Sequence, residues 1–282
     1  MKESFVMTVY NRPEVMLVNT LSALARCNMA DCEVIVVNDG SDVDYGKLWD
    51  LFGDVMSLKV VDHGGDTSDP LGDEHYSIDG YNNPSAAFNV GIDAADGDYL
   101  WLMSSDIIVQ PPGVESMRKR NRDNAAVFCR VVNMDNGMEY LGPSRLFPMH
   151  WLVTSHRDNM PRFDEEFMQG IDFEDNDFAG QLALKTGKLI CDWDIAAFHQ
   201  SHPATAYTDN LKGHHINKAH IINKWGGIPF DNTASDPIRK KVTEVAGTWI
   251  VKCEPKGSAQ LQRNYIVHPG MEADAKKALG EA

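Results

Sequence analysis

Two apolar runs in the first half of the chain each end abruptly in polar and acidic residues, and they constrain the fold more than any other feature. Glu33–Val37 leads into Asp39, and Tyr99–Met103 leads into Asp106. Apolar runs without alternation are typical of strands buried on both faces, as in parallel sheets. Open α/β sheets bind ligands and metals at the carboxyl ends of such strands. The two carboxylates therefore indicate a ligand site, and their pattern points to a nucleotide diphosphate.

Strand and helix patterns alternate through the first half of the chain. Strands are predicted at Phe5–Val9, Glu33–Val37, Leu58–Val61 and Tyr99–Met103, and helices from Pro13 and over Ser85–Ala95. This alternation predicts an α/β fold with a Rossmann-like, mostly parallel central sheet and flanking helices. Past residue 110 the alternation fades, with a strand at Ala125–Val132, a helix at Asn176–Thr186 ended by Gly187, and a strand at Lys188–Cys191. This second half is expected to form an acceptor-side lobe.

Composition excludes some classes of partner. The 282 residues carry a formal net charge of −15, which disfavours broad binding to nucleic acid or to anionic membranes. The five cysteines are odd in number and have no C-x-x-C spacing, which favours reduced thiols and a cytoplasmic protein. No apolar stretch reaches the length of a membrane span, and Met1–Val9 is strand-like rather than a signal peptide.

A long polar stretch, Asp62–Pro84, separates the third strand from the next helix. It is rich in Gly, Asp, Asn and Pro. Connections of this length are often lids or binding loops, but some are simply insertions. Both interpretations stay open at the level of the sequence.

Several short motifs occur in a fixed order along the chain. They are Val9–Arg12, Glu33–Ser41, Asn89–Gly91, Ala95–Tyr99, Phe163–Phe167, Glu174–Phe178, Phe198–Pro203 and Asn223–Gly226. Together they resemble the successive signatures of family 2 glycosyltransferases with the glycosyltransferase-A fold, over roughly residues 4 to 230. The resemblance implies a nucleotide-sugar-binding half over 1–110, an acceptor-binding and catalytic half over 111–230, and a C-terminal extension over 231–282, where a polar helix is expected at Glu272–Ala282.

The resemblance implies a metal-dependent donor site. Asp106 and His199 are expected to bind Mn2+ or Mg2+, which neutralises the charge that develops on the diphosphate. The family's D-x-D signature is here Ser104-Ser105-Asp106, so its first acid is missing, and Ser104 and Ser105 are expected to contact the donor. The alternative is that Asp106 has a structural role only and caps the turn between the strand and the following loop. His202 lies near His199 but is the poorer match to a ligand.

The resemblance also implies residues that bind the nucleotide. Asp39 corresponds to the residue that accepts a hydrogen bond from uracil, which makes UDP the expected nucleotide. Alternatively, Asp39-Gly40 is a residue pair that favours a turn, and a turn at this position would need no ligand. Further nucleotide contacts are expected from Thr8, Tyr10, Asn11, Arg12 and Asn89.

A second acidic cluster begins the helix predicted near Glu174. Helical spacing places Asp175 on the same face as Phe178 and Leu182 and turns Asp177 away from that face. A carboxylate aimed at the cleft can take the proton of an attacking hydroxyl, and in the family the second acid of this Glu-Asp pair does so. Glu174 is expected to orient the acceptor. Acids also gather at helix amino termini because the helix dipole favours them. This effect is enough to explain the presence of Asp172 and Asp177.

The sequence therefore predicts a metal-dependent inverting glycosyltransferase of the hexosyl or N-acetylhexosaminyl type. It would move a sugar from a nucleotide-diphosphate donor to a carbohydrate or another hydroxyl-bearing acceptor. One alternative is a non-catalytic nucleotide-sugar-binding module, which the altered Ser104-Ser105-Asp106 motif favours. The other is a glycoside hydrolase, which would need an acid to protonate its leaving group. His214, His215 and His220 are interpreted as surface or cleft wall, and Trp225 as a packing residue.

Overall fold

The computed structural model describes most of the chain. The described residues are 1–10, 14–41, 43–63, 84–121, 125–135, 137, 139–140, 152–167, 173–186, 188–200, 211–225, 228–229, 238–245, 248–255 and 263–267. Several sequence predictions lie outside these residues: Asn11, Arg12, Asp172, Gly187, His202, the 64–83 part of the polar stretch, and the helix at Glu272–Ala282.

The elements follow one another as mixed strands and helices. The strands are β1 Glu3–Val9, β2 Cys32–Asn38, β3 Ser57–Asp62, β4 Tyr99–Ser104, β5 Ile107–Ile108, β6 Ala126–Asn133, β7 Glu139–Tyr140, β8 Leu152–His156, β9 Lys188–His199, β10 Ile238–Val245, β11 Thr248–Pro255 and β12 Arg263–Val267. The helices are α1 Glu14–Ala25, α2 Leu48–Phe52, α3 Pro84–Ala94, α4 Pro111–Arg120, α5 Glu174–Thr186 and α6 Leu211–Trp225. Short 3-10 turns lie at Tyr45–Lys47 and Arg157–Asn159.

One sheet holds the strands together in the order β10-β11-β12-β9-β6-β8-β4-β1-β2-β3. Neighbouring strands are parallel from β3 through β2 and β1 to β4, and again from β6 through β9 to β12. Strand β8 lies antiparallel between β4 and β6 and joins the two parallel groups. The predicted α/β fold with a mostly parallel central sheet is therefore confirmed.

Two hydrophobic cores cover the two faces of this sheet. Alternate residues of a strand point to opposite faces, so Trp101 and Met103 of β4 join one core while Leu100 and Leu102 join the other. Helix α1 packs on the first face, and helices α3 and α5 pack on the second. Burial on both faces explains why the strands read as unbroken apolar runs.

Helix α3 approaches the sheet closely at Gly91. A β-carbon at this position would overlap Cγ1 of Val6 and would lie 3.0 Å from Cγ2 of Val37. Glycine therefore allows α3 to sit directly against β1 and β2. This contact gives the Asn89–Gly91 motif a structural reason.

The second half of the chain contains elements that the sequence patterns did not predict. Helices α4 and α6, strand β8 and the C-terminal strands β10 to β12 are in this group. Strand β9, predicted only as Lys188–Cys191, continues to His199. The C-terminal strands join the sheet beside β9. None of the helices in the described part of the chain has both the length and the apolar character that crossing a membrane requires.

Candidate active site

The carboxyl ends of four parallel strands meet at one edge of the sheet. In the strand register Thr8 of β1 lies beside Ser104 of β4, Val9 lies beside Asn38 of β2, and Asn38 lies beside Asp62 of β3. This edge, which we call the carboxyl edge, is where ligands of open α/β sheets bind. The structure therefore brings the predicted donor-site residues from three separate strands to one place.

At the end of β2, Asn38 and Gly40 form the turn and Asp39 is held by a histidine. The Asn38 side chain accepts a hydrogen bond from the Ser41 amide at 3.0 Å and donates to Asp62 Oδ1 at 3.0 Å. Gly40 has a φ of 79°, which favours glycine. The Asp39 carboxylate is buried, and its Oδ1 lies 2.9 Å from Nδ1 of His63. The neighbours of Asp39 thus take part in building the turn, and the Asp39 carboxylate pairs with His63.

His63 is a site residue that the sequence analysis missed. It directly follows β3, so it reaches the carboxyl edge for the same reason that Asp39 does. Its position just after a predicted strand was the sequence signal that could have identified it.

At the end of β4, Asp106 lies against His199. The Asp106 side chain is buried, and its Oδ2 is 3.5 Å from Nε2 of His199. Strand β5 pairs antiparallel with β9 so that Ile107 faces His199, and the Gln200 amide donates to the Asp106 carbonyl at 2.9 Å. The structure therefore brings together the two predicted metal ligands, which are 93 positions apart in the sequence.

Ser104 takes the place of the missing acid in this turn. Its hydroxyl donates to Asp106 Oδ1 at 2.6 Å. Ser105 is buried, and its carbonyl accepts a hydrogen bond from the Thr20 hydroxyl at 2.9 Å. The serine that departs from the D-x-D signature thus orients the remaining aspartate, while Ser105 is part of the support behind it.

The donor atoms of Asp106 and His199 fit a divalent cation. A carboxylate oxygen and an imidazole nitrogen are ligands that Mn2+ accepts. Adjacent donors in an octahedral shell are about 3 Å apart, close to the 3.5 Å between Asp106 Oδ2 and His199 Nε2. Two protein ligands leave positions for phosphate oxygens and water, as in sites that hold a metal together with its substrate.

Glu174 and Asp175 lie in the first turn of α5. Both are buried, as are Phe178 and Leu182 one and two turns later. Oδ1 of Asp175 accepts a hydrogen bond from the Asn176 amide at 2.8 Å. Phe173, immediately before the helix, has a φ of 76° although it is not glycine. The predicted helix is confirmed: it runs over Glu174–Thr186, so its start agrees with the one expected near Glu174 rather than with Asn176.

Asp177 was predicted to turn away from the face of Phe178 and Leu182. Its side chain is fully buried, and its partners are Gln181 and two residues of α6. Its carboxylate accepts hydrogen bonds from Gln181 at 2.6 Å and from Trp225 Nε1 at 2.7 Å, and it pairs with Lys224 at 2.9 Å. Helix α6 covers this side of α5, so Asp177 is an anchor between the two helices.

A second titratable cluster links α6 to the 163–167 segment. Asp164 Oδ2 lies 3.0 Å from His220 Nε2 and 2.5 Å from Lys224 Nζ, and Glu166 is 3.7 Å from the other ring nitrogen of His220. Ligand atoms of Asp164, Glu166 and His220 lie within 4.8 Å of one another, so these three residues are a possible metal site. The Lys224 ammonium, however, already occupies the Asp164 oxygen that a cation would share.

The pKa shifts in this cluster agree with a charged pair. Burial by itself raises the pKa of Asp164, but the hydrogen bonds from Lys224 and His220 outweigh it, so the net pKa is lowered. Burial by itself lowers the pKa of Lys224, and its bonds to Asp164 and Asp177 reverse this, so the net pKa is raised. We therefore interpret the cluster as an anchor for α6. His220, predicted as surface or cleft wall, is partly exposed and contributes to this anchor; the side chains of His214 and His215 lie outside the described part of the chain.

The remaining predicted nucleotide contacts have different surroundings. Asn89 donates to the Phe163 carbonyl at 3.0 Å and to Glu165 at 2.7 Å, and it accepts from the Phe163 amide at 2.9 Å. Its amide thus ties α3 to the 163–165 segment, and its contact with a nucleotide stays a prediction. Thr8 and Tyr10 lie half-buried at the end of β1. Trp225 packs against Gly180, as predicted: a β-carbon at that glycine would lie 2.9 Å from its ring.

The mixed sheet, with polar and acidic side chains at its carboxyl edge, has the glycosyltransferase-A fold. Residues 76–188 match the family model described as glycosyl transferase family 2, so the resemblance predicted from the sequence is confirmed over this segment. No curated protein matches the chain.

Solved glycosyltransferases share the fold at low sequence identity. S. aureus TarS is 18% identical with a TM-score of 0.58, over 79% of this chain and 40% of that one. TarS 1-349 in complex with UDP-GlcNAc is 13% identical with a TM-score of 0.58, over 79% and 67%. Mannosyltransferase PcManGT from Pyrobaculum calidifontis, in complex with GDP-Man and Mn2+, is 14% identical with a TM-score of 0.54, over 81% and 66%. The matched region therefore spans well under half of TarS. Together these similarities show that the chain shares the fold of these proteins.

Proposed function

We propose that the chain is a metal-dependent inverting glycosyltransferase that uses a UDP-sugar and a hydroxyl-bearing acceptor. The observation that carries the proposal is the Asp106–His199 pair at the carboxyl edge, with buried Asp39 at the end of a neighbouring strand. The nucleotide complexes of TarS and PcManGT support this class of donor.

Each group would have one task in the reaction. Asp39 accepts a hydrogen bond from the nucleobase and thereby favours uracil. Asp106 and His199 hold Mn2+ or Mg2+, and the bound metal supplies charge neutralisation of the departing diphosphate. Ser104 orients the carboxylate of Asp106 through its 2.6 Å hydrogen bond. Thr8 and Tyr10 line the end of β1 beside the donor.

The acceptor side would supply the base. Asp175 takes the proton of the acceptor hydroxyl as the oxygen attacks the anomeric carbon. The new carbon–oxygen bond forms while the bond to the phosphate oxygen breaks, and its electron pair leaves with the diphosphate. One displacement inverts the anomeric configuration. Glu174, buried beside Asp175, orients the acceptor.

A non-catalytic nucleotide-sugar-binding module is the second candidate. The serine at position 104 favours it, because one carboxylate of the D-x-D signature is missing. Against it, the Ser104 hydroxyl orients the Asp106 carboxylate, so the altered motif still presents a fixed acid at the carboxyl edge. A glycoside hydrolase is not favoured, because a diphosphate leaves without the protonation that an alkoxide needs.

The experiment measures nucleotide release from UDP-, GDP- and TDP-sugars with Mn2+ and with a chelator, together with nucleotide binding. We expect release from a UDP-sugar that requires metal. Asp106→Asn should lose metal-dependent binding, whereas Asp175→Asn should keep binding and lose about 10²–10⁴-fold in kcat. Asp158→Asn is the matched control, because Asp158 is exposed and follows β8 at the opposite edge of the sheet. Full turnover by Asp175→Asn would exclude the base, and wild-type binding without any turnover would favour the module.

A further inference from the structure

Behind the proposed metal ligands, a buried hydrogen-bonded group connects helix α1 to the end of β9. Gln200 Nε2 donates to the Met16 carbonyl at 3.0 Å and to the Thr20 hydroxyl at 3.2 Å. Its Oε1 accepts a hydrogen bond from Asn19 at 2.9 Å. Every polar atom of the Gln200 amide group is thus used on one turn of α1.

The same residues hold the backbone of the turn that carries Asp106. The Thr20 hydroxyl donates to the Ser105 carbonyl at 2.9 Å, and the Gln200 backbone amide donates to the Asp106 carbonyl at 2.9 Å. Two consecutive carbonyls are therefore fixed by two linked residues. Gln200 also directly follows His199, so the group restrains both proposed ligands of the metal.

The chemistry of Thr20 shows that this arrangement is specific. A threonine inside a helix commonly returns its hydroxyl to a carbonyl of its own helix. Thr20 is fully buried and instead donates to a carbonyl 85 positions away. A buried carbonyl that loses its donor is costly, so the hydroxyl contributes to the conformation of the 104–106 turn.

We propose that Thr20 and Gln200 are positioning residues that hold Asp106 and His199 in place for the metal. The inference rests on the proposed function, because it concerns the affinity of that same metal site. Neither residue touches the reacting atoms. Partners that orient metal ligands change metal affinity by about 10–100-fold when they are removed.

The test compares Thr20→Val, which removes the hydroxyl at nearly constant volume, with Thr20→Ser, which keeps it. Gln200→Met is a second variant, for the case in which Thr20→Val does not fold. Thr154→Val is the matched control: Thr154 is equally buried and accepts a hydrogen bond from Asn121 at 2.7 Å, but it lies in β8, opposite Trp101. The readouts are the Mn2+ dissociation constant with UDP present, hydrogen exchange in a peptide covering 104–108, and the thermal unfolding midpoint.

We expect Thr20→Val and Gln200→Met to weaken Mn2+ binding by about 10–100-fold and to raise hydrogen exchange in the 104–108 peptide. Saturating Mn2+ should restore most of kcat. Thr20→Ser should bind Mn2+ like the wild type, and Thr154→Val should lose stability without losing Mn2+ affinity. Folded Thr20→Val and Gln200→Met with wild-type Mn2+ affinity would overturn this inference alone. A wild-type protein that binds no Mn2+ would overturn the proposed metal site, and this inference with it.

Discussion

Phe173 has a backbone conformation that side chains rarely adopt, with a φ of 76°. Its ring is nevertheless buried, in a small cluster with Phe167, Ile221 and Ile228. Left-handed backbone costs a residue with a β-carbon about 1–2 kcal/mol. The packing of the ring therefore offsets the strain of the backbone, immediately before the proposed catalytic turn of α5.

Replacing Phe173 by glycine and by alanine separates these two effects. Phe173→Ala should lower the free energy of unfolding by about 3–5 kcal/mol, because the packing is lost and the strain stays. Phe173→Gly should be the more stable of the two by about 1 kcal/mol, because glycine adopts this φ without strain. Urea denaturation measures both. At Phe167, which has no positive φ, alanine should be the more stable variant; the same order at Phe173 would contradict the strain argument.

At the scale of residues, the sequence located the carboxylates and, through the family resemblance, His199 beside Asp106, but it did not locate their other partners. Asp39 and Asp106 follow apolar runs, so their place at the carboxyl edge could be predicted from the strand pattern alone. Hydrogen-bond partners are set by the fold and not by local pattern: Asn19 and Gln200 are 181 positions apart, and His63 is 24 positions from Asp39. The burial of Asp177 was not predicted for the same reason, because its environment comes from α6.

At the scale of elements, the contact of α3 with the sheet gives a prediction at Gly91. In an ordinary helix interior, Gly→Ala gains about 1 kcal/mol. Here the new β-carbon would overlap Val6 and press on Val37. Overpacking costs about 1–3 kcal/mol, so Gly91→Ala should lower the free energy of unfolding.

Urea denaturation of Gly91→Ala, Val6→Ala and the double variant checks this contact. The double variant should be more stable than the sum of the two single changes implies, because the smaller side chain at position 6 makes room for the new methyl group. Strictly additive effects, or a stabilised Gly91→Ala, would show that α3 can move away from β1 at little cost.

Strands and helices with a strong pattern of apolar residues were predicted from the sequence, and those without such a pattern were not. The strands β1 to β4 are buried on both faces, so their apolar runs stand out in the sequence. Helix α4 carries three basic residues in its last turn and only three buried residues, which leaves little apolar periodicity to detect. Strand β10 mixes basic and apolar residues and gave no clear signal. Pairing between distant strands, rather than local preference, determines such elements.

At the scale of the whole molecule, the two edges of the sheet have different chemistry. At the edge opposite the proposed site, Glu33 accepts hydrogen bonds from Ser4 at 2.6 Å and from the Asp96 amide at 2.7 Å, and it pairs with Lys59 at 2.7 Å. Nearby, Arg118 pairs with Glu3 at 2.7 Å. Each of these buried carboxylates is paired with a Lys or Arg cation of the protein, which indicates a structural role.

Glu33 should make the stability of the protein depend on pH. Burial raises its pKa, but the hydrogen bonds from Lys59 and Ser4 outweigh this, so the net pKa lies below its ordinary value of 4.5. The stabilisation is therefore complete above that ordinary value and is lost as the pH falls through the lower pKa of the folded state. Glu33→Gln should cost about 1–3 kcal/mol at neutral pH, and the difference from the wild type should shrink in acid.

Urea midpoints at neutral pH and at a series of acidic pH values measure this difference. Glu14→Gln, at an exposed position in α1, is the control and should follow the wild type throughout. A Glu33→Gln deficit that stays constant down to the lowest pH would assign the effect to lost packing rather than to the charge.

The order of the sheet also has a consequence for self-association. In the described part of the chain, the outermost strands are β3 and β10. Strand β12 pairs with β9 at Lys188–Ile190, and the short strand β5 pairs with the other end of β9 at Phe198 and His199. An unpaired outer strand can act as a template for another polypeptide, and charged residues discourage such pairing. Strand β10 contains Arg239, Lys240 and Lys241 in succession. The C-terminal strands thus cover the first residues of β9 and place a strand of basic sequence at the border of the sheet, a composition that disfavours pairing with another polypeptide.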